Sequence, residues 1–431
     1  MAENKSTLGI NVKKDDDVNQ WYSDLIQKSG LIEYSDVSGC YILRPKSQFI
    51  WDTIRDFMDS RIKRKGVKNV SFPLFIPESL LTKEKEHVEG FSPEVAWVTH
   101  GGNTELPERL AIRPTSETIM YPAYSKWIRS YNDLPLKLNQ WGNVVRWEFK
   151  HPLPFLRSRE FYWQEGHTAF ATKEEADAEA KDILLDLYKR TYEELLAIPC
   201  LTGYKSEKEK FAGADYSISC EIYLPIRKAI QGCTSHHLGQ NFSKAFNITY
   251  LDKDGSEKHV YQNSWGFTTR SIGIMIMTHS DSRGLVLPPK VAENQVAVIP
   301  ITRKSNMDTI NKRCDELSRE LKRYNPFVDK RDKSMGFKLN DAELNGYPIR
   351  VEIGEKELEN DAAVLVRRDT LEKQTVPFGS LKDIIKVVLE EIQSNLFRKA
   401  QKNLQDNITE SYQLKEIKRL VADGKIVKTV F

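Results

Sequence analysis

The stretch VVRWEFKHPLPFLRSREFYWQEGH, residues 144–167, constrains the fold more than any other part of the chain. Phe161, Trp163, Glu165 and His167 stand two apart, and side chains two apart on a strand share a face. Arg146 and Glu148 are also two apart, with Val145, Trp147 and Phe149 at the alternate positions. Two prolines, Pro152 and Pro154, interrupt the run between the segments. Paired as antiparallel strands, the two runs would gather cation, carboxylates, imidazole and aromatics on one surface. Such a surface is a poor core and suits a binding floor.

What else the chain can be follows from its size and balance. At 431 residues it exceeds one ordinary core, so two or three domains are expected. With 40% hydrophobic and 29% charged residues it has the composition of a soluble globular protein. The 64 basic and 61 acidic side chains leave a net charge of +3, which neither demands nor excludes nucleic acid. RIKRKGVK, residues 61–68, is a local basic patch or a solvated helix end. The five cysteines form no C-x-x-C pair, which favours a reducing compartment and gives no zinc-ribbon signal. CTSHH, residues 233–237, crowds its donors into one segment without a second cluster, so no zinc is expected there. No apolar run approaches the ~20 residues that span a bilayer. The polar start has no apolar h-region, so residues 1–17 read as a disordered tail and the expected location is cytoplasmic, with no membrane partner.

Apolar spacing predicts helices over 21–31 and 49–62. VKNVSFPLFIP reads as a strand with Pro73 inside it, which places it at a sheet edge or against another molecule. RPTSETIMYPAYSKWI reads as a strand end turning into a helix, with Thr115 and Ser116 as caps. A charged helix is predicted over 174–196, after Thr172. YQNSWGFTTRSIGIMIMTHSD starts as a strand and continues as a buried helix. Pro288 and Pro289 suit a linker. Beyond them strands at 295–301 and 327–332 flank a helix over 307–324. Two further strands, around YPIRVEIG and AAVLVRRD, precede a helix over 381–395, which together describe a small α/β domain. From Phe397 the chain reads as charged and helical.

Three segments bear chemistry together. The first is apolar VSFPLF with its interrupting proline; the second is Arg146-x-Glu148, a loop, then Arg157 and Phe161. The third is WGFTTRSIG, where Gly266 admits a close approach and Arg270 opens a helix. Two arginines on separate segments beside an aromatic face suit a nucleotide, because a guanidinium meets phosphate oxygens bidentately and a ring stacks on a base. In this order the segments resemble motifs 1, 2 and 3 of the class II aminoacyl-tRNA synthetases. RPTSE (113–117), WQEGHTAF (163–170), KFAGADYS (210–217) and AIQGCTSHHLGQNF (229–242) sharpen the resemblance to the prolyl-tRNA synthetases of the archaeal and eukaryotic type, from about residue 18 onward.

The resemblance implies an α+β fold, with an antiparallel six-stranded sheet flanked by helices over 18–290. It implies an α/β anticodon-binding domain over 296–395 and, over 396–431, the start of a C-terminal domain, truncated or reduced. The implied reaction activates L-proline with ATP and Mg2+ and transfers it to tRNA(Pro), in a homodimer formed through the segment with Pro73. Arg146 and Arg270 would be the catalytic pair holding the phosphates, with Arg157 on the polyphosphate side and Phe161 stacked on adenine. Glu148 would accept from the adenine amino group, while Gln231, Thr234 and Thr268 complete the nucleotide site and Gln231 touches the magnesium. Thr115 and Glu117 would meet the proline nitrogen, with Arg146 near its carboxylate. Trp163, Glu165, His167, His236 and Ser264 would line the proline pocket. No protein nucleophile is required, so catalysis would be positioning and charge stabilisation.

Taken singly these residues have plainer readings. His167 and His236 could be satisfied structural histidines, Glu117 a partner of a helix dipole, and Trp163 a core residue. The stretch 171–262 leaves no room for an inserted hydrolytic domain, so no editing in cis is expected. No cysteine follows Cys314, so the zinc held by the family's C-terminal domain is not expected here. Two rivals stay open: a class II synthetase of other specificity, such as threonine or histidine, and a non-catalytic, synthetase-like RNA-binding or regulatory module. EGHTAF and GCTSHHLGQNF argue against the first, and the retention of Arg146, Glu148, Arg270, Thr115 and Glu117 against the second.

Overall fold

The computed structural model describes residues 9–87, 94–303 and 305–430. Its centre is a seven-stranded sheet. The strands run in space as Lys68–Asn69, Leu136–Val145, Glu160–Phe170, Tyr261–Thr268, Lys228–Gly239, Tyr216–Leu224 and Leu201–Tyr204. The last six are antiparallel neighbours, as the class II resemblance implies, and the short first strand joins in parallel at the edge. Alternation gives the sheet two unlike faces. On one, Trp265 and Phe267 pack against Tyr188 and Tyr192 of the helical segment that starts at Lys173, in one continuous core. The other face carries the charged and polar positions.

Register decides which of those positions meet. Gln140 opposes Glu165, Glu165 opposes Gly266, and Gly266 opposes Thr234. In the next row Leu138, His167, Ser264, His236 and Ser217 lie side by side across five strands. Five strands are thereby brought to one floor. Gly166 permits the close layering underneath, because a Cβ there would lie 2.2 Å from the Trp265 ring.

The helix Arg270–His279 follows the Tyr261–Thr268 strand, and its apolar run is buried throughout. Its C-terminal end is tied down from several directions. Lys14 Nζ donates to Met277 O (2.7 Å) and Ser280 O (2.8 Å), and Trp21 Nε1 donates to Asp281 O (3.0 Å). The disordered tail expected over 1–17 is therefore corrected from residue 9 onward: Lys14 is anchored and Asp17 caps the helix Val18–Lys28. Residues 1–8 lie outside the described residues.

A second core is built on Phe327–Val328, Val296–Pro300, Ile349–Ile353, Ala362–Arg367 and Lys373–Pro377, adjacent in that order, with the first three parallel. Helices Met307–Glu320 and Phe378–Gln405 cover it. The two cores are joined by Arg368, whose guanidinium donates to both oxygens of Asp281 (2.8 and 2.7 Å). After the long helix a small parallel pair, Ile408–Glu410 with Ile426–Lys428, brackets the helix Leu414–Ala422. Tyr223 OH donates to Gly424 O (2.7 Å), which ties this unit to the main sheet.

Several expectations need correction. Pro73 is not inside a strand: it lies between Lys68–Asn69 and Phe75–Pro77, since proline supplies no ladder donor. Arg146 and Glu148 lie just past the strand end at Val145, although Arg146 N still bonds Arg159 O (2.8 Å). Ser116 stands at the N-cap of Glu117–Trp127 but makes no capping bond, and the Thr115 hydroxyl goes to Glu117 instead. The boundary drawn at 395/396 falls within one helix that runs on to Gln405. The basic run 61–68 is largely paired: Lys63 with Asp59, and Lys65 with Asp182 and Asp186.

Candidate active site

The polar face of the sheet opens into a cavity of about 290 Å³. Thr115, Glu117, Arg146, Glu148, Phe161, Trp163, Glu165, His167, Gln231, Thr234, His236, Ser264, Thr268 and Arg270 all line it. Arg157 does not; it lines an adjoining recess with Lys150 and His151, and Ser158 borders both spaces. Pro73 lies elsewhere, on the extended segment between the two short strands. Sequence reasoning missed Lys205, Glu209 and Phe211 as wall residues. Phe211 stood within the quoted KFAGADYS, and its ring packs on His236 with centroids 4.7 Å apart.

One end of the cavity is cationic. Arg146 Nε donates to Pro114 O (3.0 Å), and its guanidinium lies 5.5 Å from the ring centres of both Phe161 and Trp163. Arg270 donates to Leu156 O (3.2 Å) and Gln231 O (3.3 Å), and its main-chain N–H donates to Thr268 Oγ1 (3.1 Å). Burial pulls Arg270 below the usual arginine value; Tyr192 opposes this, and the like charges of Arg146 and Arg157 add to it. An anion bound between Arg146 and Arg270 would relieve the repulsion between them.

The other end is buried and acidic. The Thr115 hydroxyl donates to Glu117, and the Ser116 hydroxyl to Glu165. His167 Nε2 lies 3.3 Å from Glu165 Oε2, and Tyr121 OH lies 3.1 Å from His167 Nδ1. Burial lowers the His167 pKa, but the Glu117 charge and the bond to Glu165 outweigh it, so the net shift is upward. His236 moves the opposite way, down to about 3, through burial and then the charges of Lys205, His167 and Arg146. Among the described residues the buried donors Trp163 Nε1 and Ser264 Oγ have no partner, and both residues border the same cavity. Buried polar groups without partners are costly, so both suit a bound polar ligand.

His236 and His237 are strand neighbours and point to opposite faces, which separates the donors of CTSHH. His237 Nδ1 lies 3.0 Å from Asn263 Oδ1 instead. Among the described residues no group of three or more His, Cys, Asp or Glu side chains is placed to hold a metal ion. Among them, too, no helix is long and apolar enough to cross a membrane.

Residues 97–279 match the tRNA synthetase class II core domain (G, H, P, S and T), and residues 295–387 match an anticodon binding domain. The chain is 50% identical to "Proline--tRNA ligase, cytoplasmic" of Arabidopsis thaliana, across 99% of this chain and 81% of that protein. It is 46% identical to "Proline--tRNA ligase" of Oceanobacillus iheyensis, across 100% of this chain and 89% of that protein. It is also 52% identical to "Bifunctional glutamate/proline--tRNA ligase" of Mus musculus, across 99% of this chain. There the chain spans only 29% of the relative's length. A floor with an acidic, aromatic end and a cationic end, an anticodon-binding fold behind it, and near-complete alignment to these relatives agree: the chain belongs to the proline–tRNA ligase family of class II aminoacyl-tRNA synthetases.

Proposed function

We propose that the chain activates L-proline with ATP and transfers it to tRNA(Pro). The observation that carries this reading is the pair Arg146 and Arg270. Both face one cavity, and among the described residues neither has a carboxylate partner. In the same cavity Thr115, Glu117 and Glu165 supply acceptors for a secondary ammonium, and Trp163 offers a flat apolar wall. Held between these ends, the proline carboxylate attacks the α-phosphorus of ATP and pyrophosphate leaves. A ribose hydroxyl of the tRNA terminus then displaces AMP from the mixed anhydride. The arginines keep their charge throughout and stabilise charge on the phosphoryl oxygens.

In this reading Phe161 stacks on adenine beneath Arg146, Glu148 accepts from the adenine amino group, and Gln231, Thr234 and Thr268 flank the nucleotide. Arg157, in the adjoining recess, takes the polyphosphate end. Hard oxygen donors suit Mg2+, which binds nucleotide phosphates with few protein ligands, and the Gln231 amide oxygen fits that demand. His236 and Ser264 close the proline pocket beside His167.

We assign catalysis to 18–290, anticodon binding to the unit that runs from 296 to the end of its long helix at Gln405, and a further C-terminal unit to the small parallel pair and helix beyond it. A homodimer through the segment around Pro73 accords with the exposed Leu74 and Phe75 beside it. A cytoplasmic setting accords with the free cysteines and with the name of the Arabidopsis relative. The segment 171–262 is occupied by sheet strands and their helices, which supports the absence of an editing insertion between them. The test is charging of a tRNA(Pro) transcript with labelled proline. Ester-linked proline on the 3′ end is expected, and adenylate formation without transfer would overturn the second half of the proposal.

A further inference from the structure

Glu165 is 2% exposed, and its two oxygens are held differently. Oε2 faces His167 Nε2 and the cavity. Oε1 accepts from the Ser116 hydroxyl and, at 3.0 Å, from Gln140 Nε2. Gln140 Nε2 also lies 3.1 Å from Ser116 Oγ, which closes a triangle, and Gln140 Oε1 accepts from Phe72 N (2.5 Å). Ser116 and Gln140 are fully buried and sit behind the cavity rather than in its wall.

Ser116 is the informative member. A serine at a helix N-cap normally accepts from the first turn of main-chain N–H groups. Here it occupies that position and caps nothing, because its hydroxyl is turned to Glu165. Gln140 likewise spends both amide hydrogens on this corner, and its carbonyl is fixed by main chain. Two donors on one oxygen leave the carboxylate a single orientation, with the second oxygen aimed at the imidazole.

We propose that Ser116 and Gln140 are positioning residues for amino-acid recognition, acting through Glu165. This rests on the proline-activation reading above. By holding Oε1 they present Oε2, steadied by His167 Nε2, to the substrate ammonium in one geometry, and they touch neither substrate. Their loss would weaken amino-acid binding and leave the nucleotide end intact.

The test is ATP–pyrophosphate exchange on the full chain, titrating proline at saturating ATP and then the reverse, with thermal unfolding run in parallel. The variants are Ser116→Ala, Ser116→Thr and Gln140→Met. Losing a hydrogen bond to a charged group predicts an increase of about tenfold in the proline KM for Ser116→Ala and Gln140→Met, with the ATP KM within about twofold of wild type. Ser116→Thr keeps the hydroxyl and should restore the proline KM. An unchanged proline KM in both variants would overturn the proposal. So would a parallel rise in both KM values that tracks lost thermal stability, since that is the mark of a merely structural network. If the wild-type chain shows no proline-dependent exchange, the functional reading fails and takes this one with it. If wild type exchanges normally while the variants are unaffected, only the positioning role fails.

Discussion

Arg146 and Arg270 reach one cavity from separate segments, and both are steadied by main-chain carbonyls: Pro114 O for the first, Leu156 O and Gln231 O for the second. Carbonyls orient a guanidinium without neutralising it. On the proposed reading the pair is preorganised for an anion that arrives with the substrate, which is the form of electrostatic help a phosphoryl transition state needs.

Removing either side chain should abolish chemistry before it abolishes folding. Arg146→Ala and Arg270→Ala are each expected to lower proline-dependent exchange by about 10²–10³-fold. Arg270→Ala also strips donors from two carbonyls, so it should lose more stability than Arg146→Ala, by about 1 kcal/mol. Exchange kinetics with circular-dichroism melts would check both.

Acid should destabilise the fold through two histidines. Burial is the leading cause that holds His236 to about 3 and His279 to about 4. The unfolded chain takes up those protons near pH 6.5, so below that value it binds more protons than the native state. Stability then falls with pH from about 6.5 toward 4, and on toward 3 for His236. His167 has the opposite sign: its folded pKa is raised, so its contribution is full below pH 6.5 and is lost as pH rises through the raised value. Urea unfolding midpoints across pH 4–7 should therefore fall on acidification. His279→Gln should flatten that slope, and a wild-type slope in the variant would contradict the assignment.

The joint between the two cores should be measurable in a double-mutant cycle. Arg368 is buried and bonds Asp281 with both Nη groups, while Asp281 remains partly open to water. Arg368→Leu is expected to destabilise by about 1–2 kcal/mol, less than for a fully buried pair. Asp281→Asn in the same background should add little, because the two side chains share one interaction. Denaturant titrations of the four proteins give the coupling.

Gly166 tests the layering under the cavity floor. A Cβ at this position would fall 2.2 Å from the ring of Trp265, which is itself buried. Gly166→Ala should cost about 1–3 kcal/mol by overpacking and should disturb the neighbours Glu165 and His167. Thermal unfolding together with the proline KM would register both effects.

How much of this could be read from the chain depended on whether the signal was local. The alternation at Phe161, Trp163, Glu165 and His167 exposed the floor strand and its face, because a period of two survives in one sequence. Register did not: nothing near Gln140 says that it opposes Glu165, and Ser116 is separated from Glu165 by 49 positions. Ser116 read as an ordinary helix cap, and Gln140 carried no local signal at all. The strands Thr104–Ile112 and Trp97–Gly101, which form a three-stranded sheet with Phe75–Pro77, went unread because most of their side chains are exposed, leaving no apolar periodicity. The helix Met335–Asn345 did carry local marks, Ser334 as its cap and Gly346 beyond its end, and these were passed over. Site residues were easier than architecture. Chemistry confines residue types to short motifs, whereas packing spreads its information across the whole chain.

The central claim is that one cavity joins proline to ATP. Its most direct test is amino-acid-dependent ATP–pyrophosphate exchange, with proline, alanine, threonine and histidine measured in parallel on the full chain. The account predicts exchange with proline well above the other three, and its loss in Arg146→Ala. Faster exchange with another amino acid, or none with proline from a folded protein, would contradict it.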